Sequence, residues 1–215
     1  MVYSENILIC IAIPLLISLL FTGGNTRRFI LSFIFGMGSC LIAAYISGFI
    51  KYSFGLPADD TAVYYSPVIE EVCKLLPMLF YMFVFLPHDG SLFTAALGIG
   101  LGFATFENCC YILSEGAYSL PYIIIRGMAA GVMHLVCALV LVMGFSMAKR
   151  LNALTLPGIM GALALSTAFH GLYNILVSEP GFSTVFGYLM PVMTAGLLYL
   201  PYSTIRAHKK QPESE

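Results

Sequence analysis

Three ionisable residues lie at the head of an otherwise apolar segment of membrane length. Glu70, Glu71 and Lys74 occupy the first turns of a run that continues to Leu86. A charge at the bilayer centre costs roughly 2.5 to 3.5 kcal/mol on insertion scales, so such residues are tolerated mainly where they face a bundle interior and meet polar partners. Other apolar runs supply four such partners: Glu107, Arg126, His134 and His170. The sequence therefore predicts that several helices bring these side chains together.

The composition is that of an integral membrane protein. Of the 215 residues, 59% are apolar and 10% are charged, whereas a soluble domain carries about 25% charged residues. The formal net charge is −1 and the sequence has no long basic run, so it lacks the basic surface that nucleic acids bind. Nucleic acid is therefore not expected as a partner. No positive region precedes the first apolar segment, which is therefore predicted to be a retained span and not a signal peptide. All six cysteines lie in apolar segments, where a disulfide framework is not expected.

Clusters of glycine, proline and charge divide the chain into seven apolar segments. A membrane span needs about 20 largely apolar residues. The predicted spans cover residues 6–21, 29–50, 67–86, 92–113, 122–148, 157–177 and 185–205. The sequence thus predicts an all-α, polytopic helical bundle that forms a single integral membrane domain over residues 1–215.

The basic residues of the short loops predict the orientation of this bundle. One alternate set of span ends holds only Lys51, and the other holds seven basic residues: Arg27, Arg28, Lys149, Arg150, Arg206, Lys209 and Lys210. Cytoplasmic loops carry the excess of lysine and arginine, so we expect the N-terminus outside and the C-terminus in the cytoplasm. At 1.5 Å per residue, Glu70, Glu71 and Glu107 then lie roughly 5 to 10 Å below the outer boundary. The polar groups converge in the outer leaflet.

The spacing of the charged residues suggests chemistry as well as pairing. Glu70 and Lys74 are four residues apart and share a helix face, so the plain structural interpretation is an ion pair between them. One lysine cannot neutralise two adjacent carboxylates, which favours a role as general base for Glu70 or Glu71. Arg126 is expected to pair with Glu71 or Glu107, with a lipid phosphate as the alternative partner.

Two further spans carry polar residues at four-residue spacing. Phe103 and Glu107 share a helix face, and the glycines within residues 98–102 favour close helix packing beside them. His170 and Asn174 repeat the spacing with an imidazole and an amide. Such a pair can bind a metal, donate to an oxyanion or hydrogen-bond to neighbouring helices.

Four motifs in this order resemble the PrsW family of intramembrane proteases, which is related to the CAAX-prenyl protease and bacteriocin-processing superfamily. The segment from Glu70 to Lys74 is similar to EExxK, Phe103 to Asn108 to FxxxEN, His134 to the lone histidine of the next span, and His170 to Asn174 to HxxxN. In the prenyl-protease relatives the second motif ends in histidine, whereas this chain has Glu107 at that position. A mechanism in which that histidine helps to activate water therefore cannot be carried over.

The resemblance implies a multi-span endopeptidase of a prokaryotic plasma membrane, with its catalytic core at about residues 67–177. Such an enzyme makes the first, extracytoplasmic-side cut in a single-span membrane protein, and anti-sigma factors are the family's best-known substrates. The implied catalytic residues are Glu70, Glu71, Glu107, His134, His170 and Asn174.

Two mechanisms fit these residues. In the first, Glu107, His134 and His170 bind a divalent metal, zinc being the expected ion, and Glu70 or Glu71 takes the proton from the bound water. In the second, a glutamate activates water directly, and His170 with Asn174 donates to the oxyanion. Two imidazoles and a carboxylate on three helices favour the first mechanism. Glu70 is preferred as the base, with Glu71 as a further ligand or an orienting group.

Two other classes of function compete with the protease. Intramembrane glutamates, histidines and lysines also mark the pathways of proton-coupled transporters, although no repeated halves are evident and the charged groups gather in one leaflet. A catalytically silent scaffold could present its glycine-rich faces to other spans, but it would not need the full set of motif residues.

Overall fold

The computed structural model describes residues 3–85, 87–115, 119–151 and 155–208. Within these ranges the chain is all-α, as predicted, and no residue forms a strand. The helices are α1 (Ser4–Ser18), α2 (Gly24–Phe54), α3 (Ala58–Asp60), α4 (Ser66–Phe85), α5 (Asp89–Glu115), α6 (Leu120–Leu151), α7 (Thr155–Ser178) and α8 (Phe182–His208), with a π-helical segment, Thr61–Tyr65, between α3 and α4. Each predicted span coincides with one of the seven long helices. Leu86, Lys209 and Lys210, on which the predicted boundaries and loop charges partly rest, lie outside the described residues.

The bundle is apolar on its outer surface as well as in its core. By length and composition, α2, α5, α6 and α7 could each cross a membrane, whereas α1 and the Phe182–Leu198 part of α8 are shorter apolar helices. Helix α4 has 20 residues but contains three ionisable ones. Large apolar side chains such as Phe49 and Phe83 face outward, while Lys74 and His134 are fully buried. This arrangement suits a lipid environment.

Helices α2 and α5 pack along each other with their backbones in close approach. A Cβ atom on Gly102 would overlap the carbonyl oxygen of Phe33, and one on Gly36 would overlap that of Ile99. Gly98 likewise faces the backbone of Phe29. Small residues allow such contacts in membranes, where helix association depends on van der Waals packing and not on the hydrophobic effect. Of the glycines predicted to permit close packing on α5, Gly98 and Gly102 therefore do so against α2, whereas Gly100 faces the backbone of His134.

Pro67 explains the π-helical turn ahead of α4. Because proline has no N–H, it cannot donate within the helix that leads into it. The Ser66 N–H bonds to the Thr61 carbonyl in an i→i+5 pattern. π-helical turns of this kind occur frequently at functional sites, and here the turn places Glu70 and Glu71 one helical turn further on.

We expect Gly102→Ala to destabilise the bundle by about 1 to 3 kcal/mol, since an added methyl group in a filled contact forces the two backbones apart. The matched control is Gly38→Ala on α2, where a Cβ meets nothing within 4 Å. This control should be neutral or stabilising by about 0.5 to 1 kcal/mol through helix propensity. The measurement is the free energy of unfolding in detergent micelles, and equal effects of the two variants would contradict the packing argument.

Candidate functional site

Glu71 is the most heavily bonded side chain of the polar cluster. Its Oε1 atom lies 2.5 Å from the Lys74 ammonium and 2.8 Å from His170 Nδ1, and its Oε2 atom accepts a 2.8 Å hydrogen bond from the Ser166 hydroxyl. Its side chain is completely buried. A buried carboxylate is tolerated when paired and hydrogen-bonded, and Glu71 meets both conditions.

Lys74 pairs with Glu71 and not, as the sequence interpretation had it, with Glu70. Residues that are three apart share a helix face, just as residues four apart do. Helix α4 is oriented so that Glu71 and Lys74 both point into the bundle. The Lys74 Nζ atom also lies 2.7 Å from His134 Nδ1 and 4.5 Å from the centroid of the Phe103 ring. The ammonium thus joins α4 to α5 and α6.

His134 is held from both sides of its ring. An ammonium can only donate, so Nδ1 accepts from Lys74 and Nε2 carries the hydrogen. Nε2 donates to Glu107 Oε2 at 2.5 Å. The other carboxylate oxygen of Glu107 lies 3.8 Å from Arg126, which confirms one of the two predicted carboxylate partners of this arginine. Arg126 also donates to the Asn108 side chain at 2.5 Å.

His170 presents its free nitrogen to Glu70. In the neutral imidazole, donation from Nδ1 to the Glu71 carboxylate leaves a lone pair on Nε2, which lies 3.7 Å from Glu70 Oε2. This carboxylate oxygen is buried and has no hydrogen-bond partner among the described residues. Two acceptor atoms therefore face each other with no donor between them. A water molecule that donates to both atoms, or a cation bound by both, would satisfy them.

The three side chains that converge on this gap are Glu70, His134 and His170. One ligand atom from each lies within 4.8 Å of the other two. The two histidine rings are perpendicular, with centroids 5.0 Å apart. The structure thus brings together both histidines of the sequence-predicted metal set, with Glu70 as the carboxylate of this group and Glu107 bonded to His134 at its edge.

Asn174 lies one turn after His170 and donates through Nδ2 to the Ala62 carbonyl at 3.0 Å. In the π-helical pattern this carbonyl would accept from residue 67, but Pro67 has no N–H. Asn174 therefore supplies the hydrogen that proline cannot. Its second amide hydrogen remains for the oxyanion role that the sequence suggests.

A cavity of about 230 Å³ reaches two of the carboxylates, Glu70 and Glu107. Its other walls include small residues of α1 and α2, such as Ser4 and Cys40, and the rings of Phe103 and Phe106 on α5. Glu107 is 32% exposed, whereas His134 and Glu71 are fully buried. The cluster thus has a partly exposed carboxylate on this side.

Sequence reasoning missed Ser166, which is fully buried and bonds to Glu71. Its position four residues before His170 was the available signal, since it puts both side chains on one face of α7. A serine hydroxyl is too common in membrane helices for that spacing to stand out. Its role appears only once α4 packs against α7.

Removing either member of the Glu71–Lys74 pair should destabilise the protein strongly. Glu71→Gln leaves a buried ammonium and Lys74→Met leaves a buried carboxylate, and each should cost about 3 to 5 kcal/mol. The double variant should cost clearly less than the sum, because neither charge is then left alone. A double-mutant cycle on the free energy of unfolding measures this coupling, and additive effects would contradict it.

Comparison with known proteins identifies the family of this chain. Residues 25–200 match the model described as PrsW family intramembrane metalloprotease. No curated protein and no solved structure matches the chain. The family match covers most of the sequence and spans the four motifs that surround the polar cluster. The chain belongs to the PrsW family and is an integral membrane metalloprotease.

Proposed function

We propose that this protease hydrolyses a peptide bond of a single-span membrane protein near the extracytoplasmic face, at the gap between Glu70 and His170. The observation that carries the proposal is the pair of facing acceptors, His170 Nε2 and Glu70 Oε2, 3.7 Å apart in the bundle interior. The cavity beside Glu70 would give the substrate segment that contains the scissile bond a route to this gap. The motif resemblance adds anti-sigma factors as the substrate class.

The donor set fits a divalent ion, for which we propose zinc. An unpartnered carboxylate oxygen, an imidazole lone pair and a second imidazole are the ligands of many catalytic zinc sites. A metal ion held there supplies Lewis-acid activation of water and of the peptide carbonyl. His170 is already oriented for this role, because ligating histidines commonly donate their other N–H to a carboxylate, here Glu71.

The remaining residues handle the proton and the charge. We assign Glu107, which is partly exposed in the cavity, as the base that takes the proton from water, and Glu70 as the third metal ligand. The sequence-based alternative exchanges these two carboxylates. For His134 to bind through Nε2, its Nε2 hydrogen would pass to Glu107, 2.5 Å away, while Nδ1 would take a hydrogen from Lys74. Glu107 would release that proton to the cavity before it takes one from water. Glu71 orients His170, and Asn174 with its second N–H can donate to the oxyanion.

We also propose that all seven long helices span a prokaryotic plasma membrane, with the N-terminus outside. Support comes from the sequence, in which one alternate set of predicted span ends carries seven basic residues and the other carries only Lys51. This orientation puts Glu70 at the outer side. Protease accessibility of tags fused to either terminus, in sealed vesicles of known orientation, measures it, and two termini on the same side would contradict it.

Glu70→Gln should abolish cleavage while the protein still folds. The loss should be at least about a hundred-fold, the usual contribution of a group that positions or deprotonates the attacking water. The assay follows cleavage of a single-span reporter by the full chain in proteoliposomes. The matched control is Glu179→Gln in the exposed turn after α7, which should cleave normally. Unimpaired cleavage by Glu70→Gln would remove the proposed centre.

Metal content tests the ligand assignment. Wild type should bind roughly one zinc per chain, and the double variant His134→Ala, His170→Ala should bind none. Glu70→Gln should lower the metal content, whereas Glu107→Gln should retain metal and lose turnover. The reverse pattern would support Glu107 as the ligand and Glu70 as the base. An active wild type without metal would leave a carboxylate acting directly on a water held by the protein.

A further inference from the structure

A second cavity, larger than the one beside Glu70, lies away from the polar cluster. It has a volume of about 940 Å³ and is enclosed by one face each of α2, α4 and α5. This is near the upper end of the roughly 300 to 1,000 Å³ typical of ligand pockets. None of the candidate catalytic residues lines it. The Glu70 end of α4 lies beside Ser47, near the end of α2, whereas this cavity lies at the opposite end of both helices.

The cavity is apolar along most of its length and positive at one end. Leu31, Phe35 and Phe80 are among its apolar walls, and Arg27 and Arg28 lie at its rim. On α2 the lining residues follow one another at three- and four-residue spacing, so the two arginines end an apolar stripe on a single helix face. Neither arginine forms an ion pair with a carboxylate within the described part of the chain, although Arg28 donates to the Asn25 side chain.

The length of the cavity matches one leaflet and not a whole bilayer. Along α2 it extends from Gly24 to Phe35, which at 1.5 Å per residue is roughly 16 Å. The hydrocarbon core of a bilayer is about 30 Å thick. A transmembrane peptide would need a groove of nearly twice this length, whereas an acyl chain of one leaflet would not.

We propose that this cavity binds an anionic phospholipid, with an acyl chain between α2, α4 and α5 and the phosphate at Arg27 and Arg28. The charge complementarity is direct, because a negatively charged headgroup would sit where the apolar stripe meets two cations. In the proposed orientation this end faces the cytoplasm, and the cytoplasmic leaflet supplies anionic lipid. The N-terminus of α2 lies at the same end and adds to the positive potential.

The binding site has a direct connection to the proteolytic centre through α4. The residues of α4 that line the cavity begin at Leu76, two positions after Lys74. An occupied cavity would support the half of α4 that follows the buried ion pair. The bound lipid would therefore stabilise the helix that carries Glu70 and Glu71.

Lipid binding is measurable without proteolysis, so its failure is distinguishable from failure of the proposed cleavage. The full chain is incubated with equal amounts of phosphatidylglycerol and phosphatidylcholine, and the lipid retained is counted by native mass spectrometry. Wild type should retain phosphatidylglycerol in roughly thirtyfold preference, given about 1 kcal/mol for each of the two arginines near an anionic headgroup. The variant Arg27→Gln, Arg28→Gln should lose this preference, and Arg27→Lys, Arg28→Lys should keep most of it.

Two matched controls separate the cavity from general surface attraction. Lys51→Gln removes an exposed cation at the other end of α2 and should leave the preference intact. Leu31→Trp should fill the cavity and lower retention with both arginines present, whereas Leu189→Trp, at an exposed position on α8, should not.

Three results would overturn the proposal: equal retention of the two lipids, an unchanged preference in Arg27→Gln, Arg28→Gln, or no effect of Leu31→Trp. A photocrosslinker at Leu31 that labels a single-span peptide in place of lipid would also overturn it, and would make this cavity a docking site for substrate. Thermal unfolding of each variant verifies that retention is compared between folded proteins.

Discussion

The buried ion pair between Glu71 and Lys74 is the interaction on which the rest of this site depends. Taking two charges out of water is expensive, and their attraction compensates only when further hydrogen bonds satisfy both groups. Glu71 finds these bonds on α7, at Ser166 and His170, and Lys74 finds its second partner on α6, at His134. The requirement to satisfy one pair on α4 thus fixes the relative positions of three helices and both histidines.

The same bonds select the tautomers of the two histidines in their neutral form. Lys74 requires His134 to accept at Nδ1, so its Nε2 hydrogen points to Glu107, while Glu71 takes the Nδ1 hydrogen of His170 and leaves a lone pair facing Glu70. The two adjacent glutamates of α4 therefore have different roles. One holds the framework, and the other faces the gap where water or a metal ion can enter.

The two ends of the bundle differ in character. At one end small residues of α1 and α2 leave a narrow cavity beside the carboxylates, and at the other a long apolar cavity ends at two arginines. Helix α4 lines both. Helices α2 and α5, whose backbones are in close contact at Gly36 and Gly102, also line both cavities.

The length of the apolar runs, and the glycine, proline and charged residues between them, determined where the helices lie. A chain in lipid must satisfy its backbone hydrogen bonds within each segment, so each run of this length forms a helix. The order of the polar residues along the chain also indicated which side chains would form the site. What the sequence could not determine was which of Glu70 and Glu71 meets Lys74, since positions three and four apart share a helix face equally well. That choice, the part of Ser166, and the use of Asn174 to complete the turn before Pro67 depend on how far each helix is rotated about its axis, which only tertiary packing decides.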